Sequence, residues 1–175
     1  NPEKEDLESG SRAAAAGGIT SFLDMPNTSP NATNRLALEA KIALAAKKSV
    51  THHGFFIGAT TNNVSDLQSV QGMDGVCGIK IFMGSSTGDL LVHEQNHLEE
   101  IFANTGGIIA THAEDEIRLQ SRIAEFEHRR DIAAHAECRD IECALIATKR
   151  AAALAKDYTH RLHIVHLTSG KEADW

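Results

Sequence analysis

The stretch Val76-Cys77-Gly78-Ile79-Lys80-Ile81-Phe82-Met83 runs straight into Gly84-Ser85-Ser86-Thr87-Gly88. Apolar and β-branched side chains dominate it, without strict alternation between polar and apolar. Strands buried on both faces read this way, and they belong to parallel sheets covered by helices. One residue breaks the run. Lys80 stands between Ile79 and Ile81, where an ammonium loses its hydration unless it is paired or chemically modified. The stretch therefore carries a fold signal and a chemical signal together.

Working outward, short apolar runs recur at 19–25, 54–59, 108–112 and 162–167. Amphipathic stretches lie between them. Leu38, Ile42, Ala45 and Ala46 share one helical face, as do Ile141, Ala144, Leu145, Thr148, Ala152 and Ala155. A first helix over 3–16 stops at Gly17-Gly18. Further helices are predicted over 116–127 and 138–157. Most strand starts fall about 25 to 35 residues apart, the size of a βαβ unit. The pattern predicts an α/β fold with a parallel sheet. Periodicity alone leaves a doubly wound sheet and a (β/α)8 TIM barrel open. A full barrel takes roughly 200 to 250 residues, so five strands would form part of one. No linker or low-complexity segment divides the chain, and residues 1–175 read as a single domain.

The composition excludes several classes. With 175 residues, 42% hydrophobic and 23% charged, the chain can bury a core. A net charge of −7, from 24 acids against 17 bases, argues against nucleic acid as a partner. No apolar run approaches roughly 18 residues, so no membrane span is expected. The polar opening does not read as a signal peptide. Cys77, Cys138 and Cys143 form no Cys-x-x-Cys pair, which argues against a disulfide framework or a thiolate zinc site. Reduced thiols fit a cytoplasmic location. A small-molecule substrate is the expected partner, and a homo-oligomer is left open. The chain opens on Asn1 without Met and stops at Trp175 just after Ser169-Gly170-Lys171-Glu172 begins a helix. The expectation is an internal fragment.

Polar residues gather just after the strands. Asp24-Met25-Pro26-Asn27-Thr28 follows the first, the glycine-rich loop 84–88 follows the third, and Thr111-His112-Ala113-Glu114-Asp115 ends the fourth. His163 and His166 lie in the fifth. Parallel α/β folds carry their active sites at the carboxyl ends of strands. His112 alone would read as a hydrogen-bonded core histidine, but four loaded strand ends are hard to explain as packing. The loop 84–88 lacks both the P-loop and the dinucleotide pattern, and reads as a tight loop lining a site. His93-Glu94-Gln95-Asn96-His97 is a literal His-Glu-x-x-His. On a helix it would suit a zinc protease. Its context, with Leu91, Leu98, Ile101 and Phe102 as the buried side, reads instead as a solvated helix face.

Four segments together resemble dihydroorotase of the cyclic amidohydrolase group, whose relatives include hydantoinases and allantoinases. They are Gly17–Thr28 with its Met-Pro-Asn-Thr run, Gly78–Gly88, Thr111–Glu116, and Leu162-His163-Ile164-Val165-His166-Leu167-Thr168-Ser169. The Met-Pro-Asn-Thr and Gly-Ser-Ser-Thr-Gly runs point to dihydroorotase more than to its relatives. The resemblance implies a (β/α)8 barrel with two zinc ions. Lys80 takes the position of the family's CO2-carboxylated lysine, which bridges both. His112 and His166 match the two histidines of one metal, and Asn27 matches the asparagine that binds the substrate carboxylate. By strand alternation His163 would face away from His166 and reads as structural.

The resemblance also implies residues that are missing here: a His-x-His-x-Arg metal motif, and the aspartate that ligates the other metal and serves as general acid/base. No catalytic residue is therefore assigned within this chain. The implied reaction interconverts N-carbamoyl-L-aspartate and L-dihydroorotate in pyrimidine biosynthesis, and the chain alone is expected to be inactive. The alternatives are a hydantoinase or allantoinase acting on another ring, and a non-catalytic scaffold subunit.

Overall fold

The computed structural model describes residues 3–86 and 88–175, so Asn1 and Thr87 of the loop 84–88 lie outside the described residues. Five strands form one sheet: β1 (Ser21–Asp24), β2 (His52–Gly58), β3 (Val76–Phe82), β4 (Ile108–His112) and β5 (Arg161–Val165). They pair in parallel in chain order, β1-β2-β3-β4-β5. The sheet curls into half a barrel, as part of a TIM barrel does. The helices are α1 (Leu7–Ala16), α2 (Arg35–Lys48), α3 (Val64–Ser69), α4 (Gln95–Asn104), α5 (Glu116–Phe126), α6 (Ala133–Cys138), α7 (Ile141–Asp157) and α8 (Gly170–Asp174). No helix among the described residues is long and apolar enough to cross a membrane. All three cysteines are free thiols.

Helix starts follow their caps. Asn34 accepts from the Ala37 N–H to open α2, and Asp140 accepts from the Cys143 N–H to open α7. The second cap corrects a predicted boundary. A single helix over 138–157 is expected from periodicity. Instead Cys138 ends α6, and Asp140 starts a new helix by satisfying its free N–H groups. The buried stripe of α7 agrees with the predicted face in part: Leu145, Thr148 and Ala155 are buried as expected, joined by Cys143, Ala147, Ala151 and Leu154, while Ile141 is 49% exposed.

The two faces of the sheet differ in chemistry. Residues in register share a face, and the face alternates along each strand. Ile57, Ile79 and Ile109 lie in one row, buried with Ile81, Leu98, Ile101, Phe102 and Leu154 under the helices. The opposite, concave face carries Gly58, Lys80, Ala110 and His163 in one row. One step nearer the carboxyl ends it carries Phe82, His112 and Val165. Gly78 marks a register shift between β2 and β3. Its φ is +155°, and a Cβ there would lie 2.4 Å from the Ile108 carbonyl oxygen, so only glycine fits.

Candidate functional site

Lys80 is 1% exposed, deep in β3. Its Nζ donates to the Ile81 carbonyl at 3.0 Å and lies 3.8 Å from the centroid of the Phe82 ring. No carboxylate among the described residues forms an ion pair with it. Burial pushes the amine down to about 7, so a large share is neutral near physiological pH.

His112, the last residue of β4, shares its row with Phe82, the ring centroids 6.1 Å apart. Its own centroid is 5.4 Å from that of His166, with the planes at 67°. His166 is held below the usual imidazole range by partial desolvation first, then by His112 and Lys80. The structure therefore brings Lys80, His112 and His166 to one rim. Asn27 sits apart, exposed on the turn after β1, and no hydrogen bond joins it to these three among the described residues.

The alternation argument that set His163 against His166 does not hold in the form expected. β5 ends at Val165, and His166 follows it with a φ of +60°. Such a backbone is uncommon outside glycine and turns the chain off the strand's two-residue period. His163 lies on the concave face, in register with Ala110. The His-Glu-x-x-His run is not one helix face either. α4 begins at Gln95, so His93 precedes the helix that carries His97.

One pair was not assigned from the sequence. Glu114, 8% exposed, faces His112 with Oε2 at 3.3 Å from Nε2. Arg139, between α6 and α7, grips the same carboxylate with two nitrogens, Nε at 2.8 Å from Oε1 and Nη2 on Oε2. Burial would raise the Glu114 pKa, but His112 and Arg139 hold it down to about 2. The sequence signal for Glu114 was its place two residues after His112. Arg139, 25 residues away, carried none.

The donor set bears directly on metal binding. Among the described residues no group of three or more His, Cys, Asp or Glu side chains is arranged to hold a metal ion. Two imidazoles suit zinc, but an ammonium offers no lone pair. Two imidazoles are too few to hold a metal by themselves, and Lys80 would add a donor only if its amine were converted to an oxygen-bearing group, a conversion that a buried, largely neutral amine suits.

A curled parallel sheet with polar strand ends defines part of a TIM barrel, and a solved L-hydantoinase (dihydropyrimidinase) from Arthrobacter aurescens superposes with a TM-score of 0.90. The two are 26% identical over 97% of this chain and 39% of the other. A dihydroorotase of Methanosarcina acetivorans is 34% identical over 170 residues, 95% of this chain and 36% of its own length. An allantoinase of Deinococcus radiodurans is 35% identical over 176 residues, 95% of this chain and 38% of its own length. No family model matches. Over nearly its whole length the chain is thus similar to one segment of these cyclic amidohydrolases, and it spans a little over a third of the curated relatives it matches.

Proposed function

We propose that this chain supplies part of the active site of a zinc-dependent cyclic amide hydrolase of the dihydroorotase type. Such an enzyme interconverts N-carbamoyl-L-aspartate and L-dihydroorotate in pyrimidine biosynthesis. One observation carries the reading: a buried lysine without an acidic partner stands beside two histidines at the carboxyl ends of adjacent parallel strands. A residue serving only to pack would not leave an amine there, since burial penalises its charge.

The neutral Lys80 amine would attack CO2, forming an N–C bond and releasing a proton to solvent. The resulting carbamate is an anion with two oxygens, able to bridge two cations. His112 and His166 would hold one of the zinc ions, and carboxylated Lys80 would touch both. When bound, the zinc pair would lower the pKa of a shared water and polarise the ring carbonyl. Asn27 would donate its side-chain amide to the substrate carboxylate. The acid/base residue remains unassigned, so the 175-residue chain alone is expected to turn over no substrate. A small ring amide is the partner, and the cytoplasm the compartment, of this reading.

Zinc calorimetry with and without bicarbonate, with mass spectrometry of Lys80, tests it. The expected result is weak or partial zinc binding that strengthens with bicarbonate and is lost in Lys80→Ala. Binding indifferent to both would overturn the bridge. Tight uptake of two zincs would overturn the view that the chain holds only part of the site.

A second reading has its own support. The allantoinase and the dihydroorotase match the chain at 35% and 34% identity, and the superposed structure is a hydantoinase. The rim residues would serve any of these rings. Assaying the longer protein that contains this segment with dihydroorotate, allantoin and hydantoin separates them. A scaffold subunit would give turnover of none.

A further inference from the structure

We propose that Glu114, clamped by Arg139, is a positioning residue that fixes the His112 ring with Nε2–H toward the carboxylate, leaving Nδ1 as the lone-pair nitrogen for a ligand on the rim. The proposal rests on the metal-centre reading above and names how one of its imidazoles is set.

The geometry supplies the argument. An ionised carboxylate only accepts hydrogen bonds. The ring nitrogen facing Glu114 Oε2 at 3.3 Å must therefore carry the hydrogen, and a neutral imidazole then keeps its lone pair on the other nitrogen. Ligating histidines are commonly oriented this way, through the ring nitrogen they do not use.

Glu114 is itself fixed from three sides. Arg139 holds both oxygens in a two-pronged contact, which locks the plane of the carboxylate as well as its place. Gly84 presses from the loop after β3, where a Cβ would lie 2.3 Å from the Glu114 carbonyl oxygen. The next residue, Asp115, accepts from the Arg118 N–H to cap α5, and its own N–H donates to the Cys143 carbonyl. The carboxylate of Glu114 is thus held by Arg139 at the α6–α7 junction, and its backbone by the loop after β3 and by the neighbouring Asp115 at the start of α5.

Histidine-ring NMR of the metal-free chain, above the imidazole titration range, is the direct test. Zinc calorimetry in bicarbonate is its companion. Wild type should show His112 in the Nε2–H form. Glu114→Gln and Arg139→Gln should let the second tautomer appear, and should weaken zinc binding about tenfold to a hundredfold. Arg139→Gln keeps the carboxylate but frees it to turn away from the ring, and serves if Glu114→Gln fails to fold. Asp140→Asn, which breaks a different ion pair at the same junction, should change neither readout. The proposal is overturned if His112 keeps one tautomer in both variants, or if Asp140→Asn weakens zinc binding as much as they do. If wild type takes up no zinc at all, the metal-centre reading fails while the tautomer still decides this one.

Discussion

Along β3, neighbouring residues meet opposite fates. Ile79 and Ile81 point into a packed apolar layer under the helices, whereas Lys80 and Phe82 point to the concave side. β4 repeats the contrast, with Ile109 buried beneath the helices and His112 on the rim. The helix-covered face is stabilised by what it removes from water. The concave rim carries groups whose burial is costly and whose use is chemical. Strain on stability and capacity for chemistry are thus separated by one residue along the same strand.

Truncating the helix-covered face should have the largest effect. Ile81 is fully buried, and Ile81→Ala should lower stability by about 2 to 5 kcal/mol through lost transfer energy and the cavity left behind. Its neighbour should behave in the opposite sense. Lys80→Met removes a buried amine with no acidic partner and keeps an apolar stem. The metal-free chain should gain about 1 to 3 kcal/mol, the cost of burying a poorly paired polar group. Denaturant midpoints of the two variants, measured without zinc or bicarbonate, break the comparison if both fall.

Gly84→Ala comes next. The added methyl meets the Glu114 backbone, which cannot swing aside as a side chain does. A loss of about 1 to 3 kcal/mol is expected, together with a shift of the His112 ring resonances. A change in stability without a change at His112 would show that the rim tolerates movement of this loop.

The central strands β2, β3 and β4 were legible because strands with little exposure leave apolar runs, whereas the edge strands β1 and β5 are half exposed rather than buried on both faces as expected. Lys80 was legible because it violates such a run. His112 was legible from its place at a strand end. What escaped depends on chain direction or on distant partners. The end of β5 at Val165 is set by the positive φ of His166, which periodicity does not encode. The split between α6 and α7 turns on a single cap at Asp140. The hold on Glu114 joins residues 25 apart in sequence, on elements whose docking no local pattern predicts. The curling of the sheet decides between an open sheet and a barrel, and it too was beyond periodicity.

The smallest effect sharpens the contrast between two ion pairs at that junction. Asp140 pairs with Arg118 through two contacts, at 3.0 and 2.6 Å, and caps α7 as well. Arg118 foremost holds its carboxyl well below the usual range, with the Cys143 N–H adding to it against partial burial. The sign follows from proton counting. A carboxylate with a depressed folded-state pKa binds fewer protons folded than unfolded in acid. Its stabilisation is present above the ordinary carboxylate range and is lost as pH falls toward the depressed value. Asparagine caps nearly as well as aspartate, so Asp140→Asn removes the charge and keeps the cap. The pair is partly solvated, and the loss at neutral pH should be under about 1 kcal/mol. Denaturant curves across acid pH should show the gap between wild type and Asp140→Asn closing as pH falls. A gap that stays constant would mean that the charge of Asp140, which Arg122 also approaches at 3.2 Å, does not contribute to joining these helices.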